Sequence, residues 1–389
     1  MKKEIIQTKI GVLGGGQLGK MLQQAASNWH VQLHFLDQSK EFPAGPLSPH
    51  FKEGNFKNYE DVYAFGQDKD VITIEIEHVN TEALHQLVAE GKTVHPAPDK
   101  LDIIKDKGLQ KQFYQRHRIP TSNFVLYANG DAIRQAVQDG ALSLPFVQKS
   151  RTAGYDGKGV AVIKTKEDLA NRLMDTASVV EDLVPIAKEL AVIVARNEAG
   201  ELRAFPTVEM EFSPVANLVE FLFCPANIDT AVEQKAVALA RQVMEAFDLC
   251  GLLAVELFLT ENGEILVNEV APRPHNSGHH TIDSAFTSQF EQHLRAILNL
   301  PLGDTSSKTP GVMVNLLGAP EHTGPASYKH LDQVLGLKGV NVHLYGKTIT
   351  KPHRKMGHAT IVDESLDAAK ERALQVKELL KIVSAGGES

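Results

Sequence analysis

The chain has 389 residues, 43% of them apolar, enough for two or three domains that each bury a core. Its formal charge of −8 argues against a surface dedicated to nucleic acid or to an anionic membrane. Only Cys224 and Cys250 occur, without metal-ligand spacing, no run approaches the roughly 18 apolar residues of a membrane span, and Gly14–Gln17 interrupts any leader-like segment, so a cytoplasmic protein is expected.

Ile10–Leu13 predicts a short strand, followed by Gly14-x-Gly16-x-x-Gly19, a helix through about Ser27, and a second strand, Val31–Leu36, ending in Asp37. This is the context of a dinucleotide fingerprint, with an acid about 20 residues on for a ribose, and an NAD-dependent dehydrogenase is therefore a competing expectation. The same glycines nearly spell a phosphate loop ending at Lys20, but Met21 stands where that loop needs a hydroxyl. Further strands at Val71–Ile76 and Thr93–Val94 make residues 1–98 a small Rossmann-like domain. Glu75, Glu77 and His78 fall at a strand end, where α/β sheets place ligand groups, although such a lone cluster is more often structural.

Pro96-Ala97-Pro98 marks a boundary, and a lysine-rich helix carrying Lys105, Lys107 and Lys111 is expected through about His117. Phe146–Lys149 and Val160–Lys164 read as paired strands around Gly154-Tyr155-Asp156-Gly157-Lys158-Gly159, a glycine-rich loop suited to approach phosphate as a lid. Lys149 at the strand end suits an α- or β-phosphate. The strand at Val179–Val184 runs into a connection that could offer backbone groups to an adenine edge, and Glu189 could accept from a ribose hydroxyl. Antiparallel strands are expected at Leu190–Ala195, Arg203–Val208 and Leu218–Phe221, then a core helix from about Asp229 to Phe247, whose apolar residues keep one face.

Leu252–Leu259 and Glu264–Val270 read as a hairpin around Asn262-Gly263, the dipeptide of a two-residue turn. That register sets Glu261 opposite Glu264 and Glu256 opposite Glu269. Like charges facing each other destabilise a hairpin unless something neutralises them, and magnesium held by carboxylates and nucleotide phosphates would do so. The strand runs on into Asn268-Glu269-Val270-Ala271-Pro272-Arg273-Pro274-His275-Asn276-Ser277-Gly278-His279-His280. Zinc at His275, His279 and His280 lacks an accompanying acid or cysteine pattern. A helix at Phe286–Leu298 precedes a last module, in which His343–Lys347 and Lys351–His358 gather cations suited to a phosphate monoester.

Taken together, the lid, the Asn268–His279 segment and the Tyr345-Gly346-Lys347 and Arg354-Lys355-Met356-Gly357-His358 motifs resemble the 5-(carboxyamino)imidazole ribonucleotide synthases, ATP-grasp enzymes of purine biosynthesis. The resemblance implies an α/β and α+β architecture: a Rossmann-like pre-ATP-grasp domain (1–98), a two-lobed ATP-grasp domain (99–304, lid about 120–185) and a β-rich module (305–389). By matching position it implies ATP contacts at Lys107, Lys149, Gly154, Tyr155, Asp156, Gly157, Lys158, Gly159, Val160, Glu181, Asp182, Leu183, Val184, Glu189, Asn268 and Glu269. Magnesium, or manganese in its place, would sit at Glu256 and Glu269. Arg273, His275, Asn276 and Ser277 would lie at bicarbonate, and Tyr155, Asp156, Lys347, Arg354 and Lys355 at 5-aminoimidazole ribonucleotide, with Arg273, His275 and Asp156 catalytic. A homodimer is implied as well. One departure is Glu209-Met210-Glu211-Phe212, where similar enzymes carry Glu-Asn-x-His.

Overall fold

The computed structural model describes residues 4–152, 154, 159–213 and 218–385. The lid residues Tyr155, Asp156, Gly157 and Lys158 lie outside that set.

The amino-terminal sheet is parallel, in the order Phe51–Glu53, Leu33–Asp37, Ile10–Leu13, Val71–Ile74, Thr93–His95. Ile10–Leu13 is buried at every position, as expected of a central parallel strand covered on both faces. The edge strand Phe51–Glu53 has three residues, too few for any periodicity to announce it. After Leu13 the glycine turn closes on carboxylates of the protein itself. Gly15 N–H donates to Asp37 Oδ2 (2.7 Å), and Gly16 and Gly19 donate to the two oxygens of Glu75 (2.6 Å each). A Cβ on Gly16 would stand 2.7 Å from Glu75 Oε1. Amides that would cradle a pyrophosphate are thus occupied, and Asp37 faces the turn rather than a ribose. The dinucleotide expectation, and the dehydrogenase with it, is corrected on this geometry.

The single lysine-rich helix is two helices, Pro98–Lys105 and Lys107–Arg116, separated at Asp106. Asp106 accepts from Gly108 N–H (2.7 Å) and Leu109 N–H (3.1 Å), capping the second helix, and pairs with Arg151 (2.7 Å). Lys107 therefore begins a helix instead of lying within one. Next comes a four-stranded antiparallel sheet in the order Phe124–Tyr127, Ser178–Asp182, Phe146–Ser150, Val160–Ile163. Lys149 pairs in register with Val160, which anchors both ends of the glycine-rich loop to neighbouring strands.

The largest sheet has nine strands. Its order is Ile265–Ala271, Gly251–Thr260, Ile186–Arg196, Val208–Phe212, Val219–Cys224, Gly311–Leu317, Lys355–Val362, Val340–Leu344, with Leu202–Ala204 paired to Ile186–Arg196. The single strand expected at Arg203–Val208 is two strands, Leu202–Ala204 and Val208–Phe212, broken before Val208. Thr230–Phe247 lays Ala236, Leu239, Ala240, Val243, Met244 and Phe247 against Leu190, Val192, Leu253 and Val255, each large side chain contributing about 2 kcal/mol by burial. The helix expected over 286–298 is Gln289–Ile297, capped by Ser288, and it covers another part of the molecule with Phe290 and Leu294 buried. The sheet passes without interruption from Val219–Cys224 into Gly311–Leu317, so strands of the carboxy-terminal module continue those before it.

Candidate active site

The hairpin that organises the site forms by a route the sequence did not announce. Thr260 N–H bonds Glu264 O (2.9 Å) and Gly263 N–H bonds Thr260 O (3.0 Å), so the loop holds three residues, Glu261, Asn262 and Gly263, the last at φ +83°. Glu261 does not face Glu264. That register, with Leu259 opposite Ile265, would carry on to set Glu256 opposite Asn268 and turn Glu269 to the other face. A bulge between Glu256 and Leu257 restores the pairing: Leu257 faces Val267, whereas Glu256 faces Glu269. Asn268 is the extra residue, and both it and Glu269 reach the lysines of the site.

Glu256 and Glu269 line a cleft of about 640 Å³ together with Lys107, Gly154, Phe212, Arg273, His275, Asn276 and Lys355. Desolvation and the charges of Glu269 and Glu189 push the Glu256 carboxyl above the usual range. Desolvation also opposes the charge on Glu269, but Lys107, Lys149 and His275 outweigh it and hold that carboxyl below the usual range. Two facing acids driven apart in this way want a further cation. Among the described residues no group of three or more His, Cys, Asp or Glu could hold a metal alone, so the pair fits a divalent ion whose remaining ligands are nucleotide oxygens and water. The zinc reading lapses with the same observation: His279 Nδ1 meets Gln289 (3.0 Å) and His280 Nδ1 meets Ser284 (2.8 Å).

The cations stand opposite. Lys107 pairs with Glu269, and Lys149 Nζ lies 2.8 Å from Asn268 Oδ1 and 3.1 Å from Glu181 Oε2. Glu189 neighbours Glu256 across the strand pair, since Ala191 faces Glu256 and Glu189 faces Phe258, and burial raises its carboxyl to about 6. Asp182 ends its strand accepting from Asn123 (2.9 Å), and Leu183 and Val184 follow in the connection that leads to Ile186–Arg196.

The segment after Glu269 is set by packing. Gln289, fully buried, accepts from His275 N–H (2.8 Å) and donates to His275 O (2.7 Å), while Gly278 packs so closely that a Cβ would lie 2.3 Å from Ile193 Cδ1. His275 caps a short 3₁₀ turn, its Nε2 lying 3.6 Å from Glu256 Oε1. Arg273 pairs with Glu77 (2.8 Å), which ties the end of the amino-terminal strand to the site; nothing in the sequence spacing linked those two residues. Arg273 Nε and Asn276 Nδ2 are buried donors without a hydrogen-bond partner among the described residues. Ser277 is buried and bonds His275, so it supports the turn instead of lining the cleft. Of the basic tail, Lys355 lines the cleft, Lys347 Nζ donates to Lys355 O (2.7 Å), and Arg354 donates to Ile349 O (2.6 Å), bracing the loop. Phe212, at the departed motif, also lines the cleft.

Sequence reasoning gave Lys111 no part. Its Nζ meets Thr121 Oγ1 (2.5 Å), Ser122 Oγ (3.0 Å) and Glu181 Oε1 (3.2 Å), in a side chain only 3% exposed. Its position four residues after Lys107 on one helix was the available signal.

Facing acids on a hairpin are thus opposed by lysines from a helix start and from a small lid sheet, an arrangement suited to a metal-bound nucleotide. Family models agree: a ribonucleotide synthetase preATP-grasp domain matches residues 7–105, an ATP-grasp domain 112–290 and a phosphoribosylaminoimidazole carboxylase C-terminal domain 311–372. The chain is 38% identical to the N5-carboxyaminoimidazole ribonucleotide synthase of Bacillus subtilis, over 94% of this chain and 95% of that one. It superposes on the N5-carboxyaminoimidazole ribonucleotide synthetase of Thermotoga maritima with a TM-score of 0.90 at 41% identity, covering 97% and 100% of the two chains. With the Aspergillus clavatus synthase in complex with ADP and 5-aminoimidazole ribonucleotide the TM-score is 0.88 at 33% identity, covering 96% and 98%. The chain belongs to the N5-carboxyaminoimidazole ribonucleotide synthase family. It is also 40% identical to the chloroplastic phosphoribosylaminoimidazole carboxylase of Vigna aconitifolia, over 94% of this chain but spanning only 66% of that protein's length.

Proposed function

We propose that the cleft carries the ATP-dependent carboxylation of 5-aminoimidazole ribonucleotide in purine biosynthesis, with bicarbonate as the carbon source. The observation that supports it most directly is the meeting, in one cleft, of the Glu256–Glu269 pair with Arg273 and Asn276, whose Nε and Nδ2 have no hydrogen-bond partner among the described residues, and with Lys355. The acids fit a nucleotide-bound divalent ion, the donors fit a small anion, and the lysine fits a phosphate monoester.

Lys107 and Lys149 would exchange their present acids for phosphate oxygens, with Glu189 at the ribose and the connection from Glu181 to Val184 at the adenine. A divalent cation, magnesium in the first instance, would offset charge on the transferring phosphoryl group. A bicarbonate oxygen, oriented by Arg273 and Asn276, attacks the γ-phosphorus as the β,γ-bridging bond breaks, giving carboxyphosphate and ADP. The exocyclic amine of the ribonucleotide then attacks the carboxyl carbon, phosphate departs, and the amine proton passes to Asp156 or His275. The glycine-rich lid excludes water, which protects the carboxyphosphate. Family resemblance supports a cytoplasmic homodimer. The test is release of ADP with and without aminoimidazole ribonucleotide in labelled bicarbonate: label should enter the product in proportion to ADP, and ADP release indifferent to bicarbonate would refute the reading.

A further inference from the structure

We propose that Lys111 is a positioning residue for the nucleotide, a fixed counter-ion that keeps Glu181 charged and in place when Lys149 turns from Glu181 to phosphate. The inference rests on the ATP reading above. Glu181 is almost wholly buried, with 3% exposure, and its two oxygens are treated differently. Oε2 takes Ser122 Oγ (2.6 Å) and Lys149 Nζ (3.1 Å); Oε1, without a hydrogen bond among the described residues, faces the charge of Lys111 at 3.2 Å. If Lys149 were its only cation, giving that lysine to a nucleotide would leave a buried carboxylate unpaired, and Glu181 would hold Lys149 back.

Lys111 is built to stay. Its stem is packed within the helix Lys107–Arg116, and its ammonium is fixed by Thr121 and Ser122 on the chain entering the lid sheet. Thr121 in turn donates to Val267 O (2.7 Å), immediately before the bulge that presents Asn268 and Glu269. One ammonium thus joins the helix that starts with Lys107, the strand that leads into the adenine-facing connection, and the acid-bearing hairpin. Lys149, by contrast, is held by Glu181 and by Asn268, the extra residue of the bulge next to Glu269. Desolvation lowers the Lys111 ammonium to about 8, Glu181 opposing the fall, and at neutral pH it remains a cation.

In the wild-type enzyme soaked with a non-hydrolysable ATP analogue, the Lys149–Glu181 separation should lengthen beyond ion-pair reach while Lys111–Glu181 stays. A complex in which Lys111 has left Glu181, or Lys149 has not, overturns the assignment. In solution, Lys111→Met should raise KM for ATP about tenfold with kcat at saturating ATP within about twofold, and Lys111→Arg, which keeps the charge, should stay within about threefold of the wild-type KM. Equal KM in wild type and K111M, or an equal loss in K111R and K111M when both have a normal Tm, refutes it. A wild type without ATP-dependent ADP release would sink the functional reading itself, an outcome separable from all of these.

Discussion

At the scale of single residues, two lysines of the site are held by partners of the protein's own: Glu269 holds Lys107, and Glu181 and Asn268 hold Lys149. Under the proposed function a metal–nucleotide complex would enter by swapping those partners and not by creating charge in an apolar space. Glu269→Gln keeps shape but removes the charge, and ADP formation should fall by about 100-fold or more, as expected on losing a metal ligand, with Tm unchanged within a few degrees. Near-normal turnover by that variant would refute the metal assignment. Buried histidines give a separate, pH-linked prediction. Burial holds His280 to about 4 and His293 to about 3, against 6.5 for an ordinary histidine. Their folded-state values are depressed, so the unfolded chain binds protons first as pH drops below 6.5 and stability falls. Each contributes up to about 1.4 kcal/mol per pH unit until its folded value is reached. Urea midpoints should decline between pH 6.5 and 5, and His293→Gln, which can still bond Thr73, should show the smaller slope; identical slopes would contradict the account.

At the scale of elements, most of what could be read from the sequence came from periodicity, and most of what could not came from single-residue irregularities. The core helix Thr230–Phe247 and the strand Ile10–Leu13 stand close to where their apolar patterns put them, because burial enforces those patterns. The break at Asp106 has no periodic signature; it exists because one carboxylate caps a helix and grips Arg151. Likewise the Glu256–Glu269 pairing was legible, but the turn and the bulge behind it were not: two one-residue shifts cancel, so the outcome looks the same as with neither. The site was similarly uneven. Glu269, Lys107 and Lys149, and Glu77 at its strand end, could be singled out by type and position, whereas the pairing of Glu77 with Arg273 and of Lys111 with Glu181 joins segments distant in sequence. Gly263 should test the turn. At φ +83° with open space around its Cβ position, Gly263→Ala should cost about 1 kcal/mol by chemical denaturation, while KM for ATP holds. Deleting Asn268 instead should leave Glu269 opposite Glu256 in an unbulged ladder but remove the amide that holds Lys149, so KM for ATP should rise while the fold, read by Tm, is kept.

At the scale of the whole molecule, the residues proposed for the two halves of the reaction sit on one sheet. Glu269 belongs to one edge strand, Ile265–Ala271, and Lys355 to a strand six places along. Lys355→Ala should therefore raise KM for the ribonucleotide about tenfold or more with KM for ATP within about threefold; equal changes in the two constants would remove Lys355 from the phosphate position. Six inter-strand spacings amount to roughly 29 Å on a flat surface. Yet both residues line the same cleft, so the sheet must coil back upon itself to bring its distant strands around one volume. Under the proposed function curvature is then part of the chemistry: the reach between an activated one-carbon acid and the amine it meets would be set by how tightly this lamina rolls. A molecule clasping both ends would stiffen the roll, and each substrate should accordingly tighten the hold on the other.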